Sequence, residues 1–262
     1  MQCIIEAVWS LVTGCRQMTF VINHDVKTSS SLNHVGHVPV THLDMSDCER
    51  LTDRAVQQIV SRCRLLTRLY VRRCSLLSDR SLQCVAAHCL ALTDVSVAEC
   101  VRVTDAGIVL LAVHLGQSLA HVSVAHCPLV GDRAVACLAD RCWRLRYVNA
   151  RCSGVTDLGV MRLATSHAGR RPRALDISHC AGVTDAALLA LARGCGVKLR
   201  RLSVCGCTAV SDYGVLALAR HCTQLRQLNL EDCPLVGASA LAAVRDNCEN
   251  CVIEHSCLLD LC

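Results

Sequence analysis

One cysteine recurs along most of the chain at intervals of 25 to 28 residues. Each copy follows a short segment in which apolar and polar residues alternate, as in residues 66–74 (LTRLYVRRC). The eight copies are Cys48, Cys74, Cys100, Cys127, Cys152, Cys180, Cys207 and Cys233. Repeats of this length are typical of solenoids, in which each unit packs only on its neighbours. The spacing therefore predicts eight stacked units with one structural column of buried cysteines.

Each unit is predicted to contain a strand, a turn and a helix. The alternation before the cysteine predicts a strand with one buried face. A Thr-Asp or Ser-Asp pair follows in six units, as in Thr52-Asp53, and such side chains accept hydrogen bonds from the N–H groups that begin a helix. Apolar residues three and four apart come next, which predicts an amphipathic helix. Each apolar stripe ends at a second column, formed by Cys63, Cys89, Leu115, Cys142, His167, Cys195, Cys222 and Cys248.

These units resemble the cysteine-containing leucine-rich repeats of the F-box/LRR protein family. The resemblance rests on residues 70–74 (YVRRC), 124–127 (VAHC), 145–151 (LRYVNAR) and 251–255 (CVIEH), and it covers roughly residues 33–256. It implies an α/β fold, a leucine-rich-repeat solenoid curved as a horseshoe, with a parallel concave sheet and convex helices. It also implies the substrate-recognition module of a Skp–cullin–F-box ubiquitin ligase, a non-catalytic subunit that binds target proteins for ubiquitination and degradation.

The chain departs from this family in several places. Residues 1–37 form a predicted N-terminal extension without a recognisable F-box, residues 38–256 the eight repeats with a terminal strand stub, and residues 257–262 a tail. Unit five is one residue short before Cys152, and unit six has Pro172 where a Leu is expected, after the basic pair at 170–171. The Skp adaptor and the cullin are therefore expected partners only of a product that carries an F-box. For this chain a fragment, an alternative product and a faulty gene model are the open interpretations.

The outward side chains of the strands form the predicted binding face. Side chains alternate across a strand, so every second residue points away from the helices. Tyr and Arg are the side chains most often found as binding hot spots. The alternative for any one of them is an ordinary solvated strand residue. We expect the substrate protein to contact Arg68, Tyr70, Arg72, Arg73, His121, Tyr147, Asn149, Arg151, Asp176 and Arg201.

Composition argues against several other functions. The net charge of +5 is modest, and no basic cluster predicts nucleic-acid binding. No apolar run approaches the ~18 residues of a membrane-spanning helix, so no membrane association is expected. The long chain contains 22 cysteines, and we expect their thiols to be reduced and to act as small buried hydrophobic groups. The expected location is the cytoplasm, with the nucleus as a second location.

Metal binding and thiol catalysis are the outlying alternatives. Adjacent His-Cys pairs such as His126-Cys127 would point to opposite faces of a strand, which is poor geometry for a metal site, and no cysteine lies in a recognisable catalytic context. No metal or other cofactor is therefore expected. A scaffold or adaptor role for the repeat array, unrelated to ubiquitin, remains the open alternative to ligase function.

Overall fold

The computed structural model describes residues 19–22, 40–166 and 172–256. Within these residues ten strands form one sheet in sequence order, and one helix follows each strand from β2 to β9. The strands are β1 (Thr19–Ile22), β2 (Val40–Asp44), β3 (Arg68–Tyr70), β4 (Asp94–Ser96), β5 (His121–Ser123), β6 (Tyr147–Asn149), β7 (Ala174–Asp176), β8 (Arg201–Ser203), β9 (Gln227–Asn229) and β10 (Val252–Glu254). The helices are α1 (Asp53–Val60), α2 (Asp79–His88), α3 (Asp105–Leu115), α4 (Asp132–Arg141), α5 (Asp157–Thr165), α6 (Asp185–Cys195), α7 (Asp212–His221) and α8 (Ala238–Asn247).

Strands β2 to β10 are parallel and pair in register, whereas β1 pairs antiparallel with β2. Each helix packs on the helices before and after it, so the sheet forms one layer and the helices form the other. The apolar core lies between these layers and is continuous along the array. The predicted α/β leucine-rich-repeat solenoid is confirmed. No helix in the described part of the chain has the length and apolarity needed to cross a membrane.

The Thr-Asp and Ser-Asp pairs begin the helices as predicted. The hydroxyl of Thr184, for example, accepts a hydrogen bond of 3.1 Å from the N–H of Ala186. The same cap is made at Thr52, Ser78, Thr104, Thr156 and Ser211. Gly131 and Gly237 occupy this position in two units and provide no side-chain cap. Local sequence therefore determines where each helix begins.

The aspartate of each pair has a second role, which connects neighbouring repeats. Asp185 accepts hydrogen bonds from the N–H of Ser211 at 2.8 Å and from its hydroxyl at 2.6 Å, one repeat further along the chain. The same two bonds join Asp53 to Ser78, Asp79 to Thr104, Asp132 to Thr156 and Asp157 to Thr184. Asp105 and Asp212 accept N–H bonds from the glycine caps. We call this row of carboxylates the aspartate ladder.

The first cysteine column lies in the core and also connects neighbouring repeats. The thiol of Cys100 donates to the carbonyl oxygen of Val71 at 3.0 Å, and that of Cys127 to Val97 at 3.2 Å. Equivalent contacts are made by Cys74, Cys180, Cys207 and Cys233. Burial raises the pKa of Cys100 to about 12, so the thiol keeps the proton that it donates.

Cys152 does not belong to this column, and its assignment from the repeat spacing needs correction. Its N–H bonds to the carbonyl of Ser178 at 2.8 Å, the contact made one position earlier in the other repeats, and its φ of 52° matches that turn position. The next residue, Ser153, takes the column position and donates 2.6 Å to Ala150 O. Because unit five is one residue short before its cysteine, Cys152 is partly exposed.

Cys48 corrects the expectation that the thiols are reduced. It is fully buried in its column and is disulfide-bonded, whereas the other column members, Cys74, Cys100, Cys127, Cys180, Cys207 and Cys233, are free. In the second column, Leu115 and the described cysteines are buried. His167, the basic pair at 170–171, most of residues 1–37 and the tail at 257–262 lie outside the described residues. The division of the chain at 37 and 256 therefore stays a prediction.

Candidate protein-binding face

The face of the sheet opposite the helices presents three columns of side chains, as the alternation predicts. Strand register aligns Arg68, His121, Tyr147 and Arg201 in the first column. Tyr70, Asn149 and Asp176 align in the central column. Arg72 and Arg151 follow in the third, one step beyond the strands, and Arg73 is the next residue in the turn, with a φ of 57°. We refer to this surface as the concave face.

Small side chains form the floor of the third column. Ser46, Ala98, Ala125, Ser178 and Cys205 are all buried, although they alternate outward. The long side chains of Arg72 and Arg151 rise between them. A few large side chains therefore project from an otherwise low surface, and the spaces between them form cavities along the face.

The first cavity, of about 560 Å³, extends from β3 to β6 and contains Tyr70, Arg72 and Arg73. The guanidinium carbon of Arg72 lies 5.7 Å from the centroid of the Tyr70 ring, within cation–π range. Arg72 also donates to Asp44 Oδ2 at 3.4 Å and to Ser46 Oγ at 3.2 Å. These contacts hold the guanidinium beside the aromatic ring, which gives a partner both an apolar surface and hydrogen-bond donors.

Arg73 is less available than Arg72, because two acidic residues flank it. Its guanidinium bonds to Asp47, with one distance of 2.8 Å, and lies 3.5 Å from Glu99 Oε1. The hydrogen bond and charge of Asp47 raise the pKa of Arg73 above its ordinary value. Asp47, Arg73 and Glu99 occupy the same turn position in consecutive repeats. They form a surface row of alternating charge, and Arg73 and Glu99 of this row line the first cavity.

His121 and Tyr147 lie at the other side of the first cavity. Their ring centroids are 6.5 Å apart with the planes at 51°, and His121 Nδ1 lies 2.7 Å from Asp94 Oδ1. That nitrogen is within ion-pair distance of the carboxylate but is not aligned as a hydrogen bond. Burial raises the pKa of Tyr147, so the phenol stays neutral and can donate a hydrogen bond to a partner.

A second cavity, of about 310 Å³, extends from β6 to β10. Tyr147, Arg151, Asp176 and Arg201 line it together with acidic Glu254 at its far side. A third cavity, of about 420 Å³, adjoins both at the start of the strands and includes His121 and Tyr147. Tyr147 thus lines all three of these cavities. A half-buried tyrosine at such a junction is the kind of residue that acts as a binding hot spot.

Sequence reasoning and structure differ on which residues share this site. Arg68 is exposed in the first column and lines none of the three cavities, although its charge acts on Tyr70. Acidic Asp94, Glu99 and Glu254 line the cavities and were missed, because aromatic and basic side chains were favoured as contacts. Their positions in the same repeat columns could have identified them.

The described residues of this face provide no metal-binding cluster and one close contact between a thiol and an imidazole. The described residues contain no group of three or more His, Cys, Asp or Glu side chains placed to hold a metal ion. Cys205 Sγ lies 3.6 Å from His179 Nε2, the contact nearest to a thiol catalytic pair. Burial raises the pKa of Cys205, which disfavours the thiolate that nucleophilic attack requires.

Comparisons with known proteins bear on the fold. No protein-family model and no curated protein matches the chain. An internalin from Listeria monocytogenes matches with a TM-score of 0.52 and 20% identity over 74% of this chain and 56% of its own. TLR13, solved with the RNA ssRNA13, matches with a TM-score of 0.55 and 14% identity over 82% of this chain and 33% of its own. These likenesses show a solenoid of the leucine-rich-repeat type.

A third solved structure is more distant. Rad7, in its yeast complex with Elc1, matches with a TM-score of 0.42 and 15% identity over 76% of this chain and 71% of its own. A score of that size carries no argument about this chain. The chain also spans only about half of the internalin and a third of TLR13, so the activities of those whole proteins are not transferred to it.

Proposed function

We propose that this chain is a protein-binding module that recognises substrates for a Skp–cullin–F-box ubiquitin ligase. The observation that carries the binding role is Tyr147 at the junction of three cavities, with Arg72 stacked on Tyr70 nearby. Rigid aromatic and guanidinium groups in adjoining depressions fit recognition of a protein surface. The target protein would lie across the strands and contact several repeats at once.

The ligase assignment rests on the sequence resemblance to F-box/LRR proteins. Within that family, residues 70–74 and 145–151 resemble the repeat region of F-box/LRR-repeat protein 7. In this proposal the chain itself performs no bond chemistry, and it holds acceptor lysines at high effective concentration near the transfer enzyme. The Skp adaptor and the cullin would join through an F-box carried by a longer product. We propose the cytoplasm, and also the nucleus, as its place of action.

Single substitutions on the concave face test the binding role. Tyr147→Ala and Arg72→Ala each remove a side chain that lines a cavity, and Arg54→Ala removes an exposed arginine from α1 on the other layer. Loss of a hot spot costs about 2 kcal/mol, roughly a thirtyfold loss of affinity. We expect both face variants to lose the partners that the unchanged chain captures from cells, and Arg54→Ala to retain them. Partner sets that are identical in all four samples would contradict the proposal.

A second experiment tests the ligase assignment separately. A captured partner is added to a reconstituted Skp–cullin–F-box reaction, with the repeat array fused to an F-box. Ubiquitination that depends on Tyr147 supports the assignment. Capture without any ubiquitination in this reaction would favour a scaffold or adaptor role instead.

A further inference from the structure

A row of arginines precedes the strands in the second half of the array. In β3, β4 and β5 the residue just before the strand is Thr67, Thr93 or Ala120. In β6 to β9 it is arginine in every case. These four residues, which we call the arginine ladder, are Arg146, Arg173, Arg200 and Arg226.

Backbone hydrogen bonds hold the ladder in a regular line. The N–H of Arg173 donates to the carbonyl of Arg146, Arg200 to Arg173 and Arg226 to Arg200, each at 2.8 Å. Neighbouring strands lie ~4.8 Å apart, so the ladder extends over about 14 Å. In the first half of the array the equivalent threonine hydroxyls bond to the preceding carbonyl, as Thr93 does to Thr67 at 3.0 Å. Ala120 separates the last of these threonines from Arg146, where the ladder begins.

The ladder lines the third cavity with an excess of positive charge. The four arginines and Arg201 share this cavity with His121, Tyr147, Ala174 and Gln227, and no carboxylate of the described residues lines it. All five arginines are exposed. The ion pairs found among the described residues involve Arg72, Arg73, His121 and Arg162, and none involves these five arginines. Within the described part of the chain, none of the five therefore has a carboxylate at ion-pair distance.

Like charges on adjacent strands repel, and anionic groups along the ladder would relieve that repulsion. A guanidinium also binds a carboxylate with two parallel hydrogen bonds. We propose that the arginine ladder binds an acidic segment of a partner protein, with Asp and Glu carboxylates distributed along the row of guanidinium groups. The protein nature of the partner rests on the proposed function. An extended chain rises ~3.3 Å per residue, so about five residues follow the whole ladder.

Distribution of the charge favours an acidic run over other anions. A single phosphate would neutralise one or two guanidinium groups and leave the rest of the ladder, which is about 14 Å long, without a counter-charge. Single-stranded nucleic acid is bound on aromatic stacking platforms along a basic groove. Only Tyr147, half-buried, and His121 offer rings here, and aromatic residues make up 2% of the chain. In an extended acidic run every second carboxylate faces the ladder, ~6.6 Å from the next, so about three carboxylates lie along its length and none needs an aromatic platform.

The test measures fluorescence anisotropy of a labelled hexaglutamate peptide, with hexaglutamine as the neutral control. The ladder variant is Arg173→Gln, Arg200→Gln and Arg226→Gln in one chain. The matched control, Arg54→Gln, Arg80→Gln and Arg193→Gln, removes the same charge from exposed helical positions. A single reversal, Arg200→Glu, serves if the triple ladder variant fails to fold, which circular dichroism would reveal.

We expect hexaglutamate to bind, hexaglutamine not to bind, and affinity to fall at least about tenfold in the ladder variant, because several charge-assisted hydrogen bonds are lost. The helical control should retain full affinity, and salt should weaken binding. Equal losses in both triple variants would overturn the proposal. So would tighter binding of a peptide with one phosphoserine, or of an oligothymidylate, than of hexaglutamate.

Failure of this inference can be told apart from failure of the proposed function. Hexaglutamate binding that does not depend on the ladder, together with partner capture that depends on Arg72, would overturn the ladder proposal and leave the binding module intact. Hexaglutamate binding that depends on the ladder, with no partner lost in the Arg72 and Tyr147 variants, would support an acidic-segment site and contradict the proposed use of the concave face.

Discussion

The aspartate ladder is predicted to be a major source of coupling between repeats, and Asp185→Ala tests it. Asp185 receives three hydrogen bonds from the next repeat: the N–H and hydroxyl of Ser211, at 2.8 and 2.6 Å, and the N–H of Gly214 at 3.2 Å. Each hydrogen bond to a charged acceptor contributes ~1.5–3 kcal/mol to stability. Water can reach the half-buried Ser211 and form hydrogen bonds in place of the lost carboxylate, which reduces the net loss. We therefore expect a loss of about 3 kcal/mol in the free energy of unfolding.

Equilibrium unfolding in urea measures this loss. At a slope of about 3 kcal/mol/M, the midpoint should fall by about 1 M. Asp185→Asn keeps one acceptor oxygen and should lose only about 1 kcal/mol. Asp246→Ala, an exposed change on α8, is the matched control and should stay within about 0.5 kcal/mol of the unchanged chain.

A local measurement tells whether the loss arises at the interface between repeats. Repeat arrays unfold partly as separate units, so amide hydrogen exchange should accelerate at Ser211 and Gly214 more than in α1. Surface substitutions that remove no specific contact usually change stability by less than about 0.5 kcal/mol. If the effect of Asp185→Ala falls within that range, the carboxylate does not couple the repeats and the reasoning is refuted.

Three further predictions concern the core and the turns. Cys127→Asp buries a carboxylate without a counter-charge and should lower the free energy of unfolding by at least ~2–3 kcal/mol. Cys152→Asp should lower it by under ~1 kcal/mol, because Cys152 lies at a partly exposed, left-handed turn position that Asp tolerates. Equal melting temperatures for the two variants would contradict the column assignment. Gly206→Ala should lower the melting temperature, because φ is +68° and the new Cβ would clash with the imidazole of His179. An unchanged melting temperature would contradict this. Burial raises the pKa of Cys89 to about 12, so thiols ionise first in the unfolded chain and stability should fall as pH rises above about 9; denaturation midpoints that stay flat from pH 8 to 10 would argue against buried thiols.

The repeat pattern predicted most of the fold because its signals are local. Strand alternation, the hydroxyl caps and the apolar stripes each depend on residues within one unit, so the sequence is enough to place them. The register of β2 to β10 followed, since identical units stack in the same way. The turn at Cys152 was misassigned because unit five was aligned on its cysteine. Backbone position determines which residue belongs to the column, and it places Ser153 there.

Features that depend on two repeats were harder to predict. In the sequence Asp185 is the first residue of its own helix, and nothing nearby indicates another role. The hydrogen-bond donors of its carboxylate lie 26 residues away, at Ser211. The cavities likewise depend on which neighbours are small, and Arg68 was favoured although it lines none of the three. The arginine ladder is visible in the sequence as a change from threonine or alanine to arginine before the strands. It was missed because side-chain alternation identifies only the residues within the strands.

The aspartate ladder also gives the array a direction that matters for building with it. Every carboxylate reaches forward, from the start of one helix to the cap of the next, so the two sides of a repeat are not interchangeable. Helix α8 begins with Ala238 in place of aspartate and offers nothing to a unit placed after it. An engineer who grafts another repeat after β10 would need Ala238→Asp to receive it, whereas a unit inserted between α6 and α7 would find a carboxylate ready at Asp185.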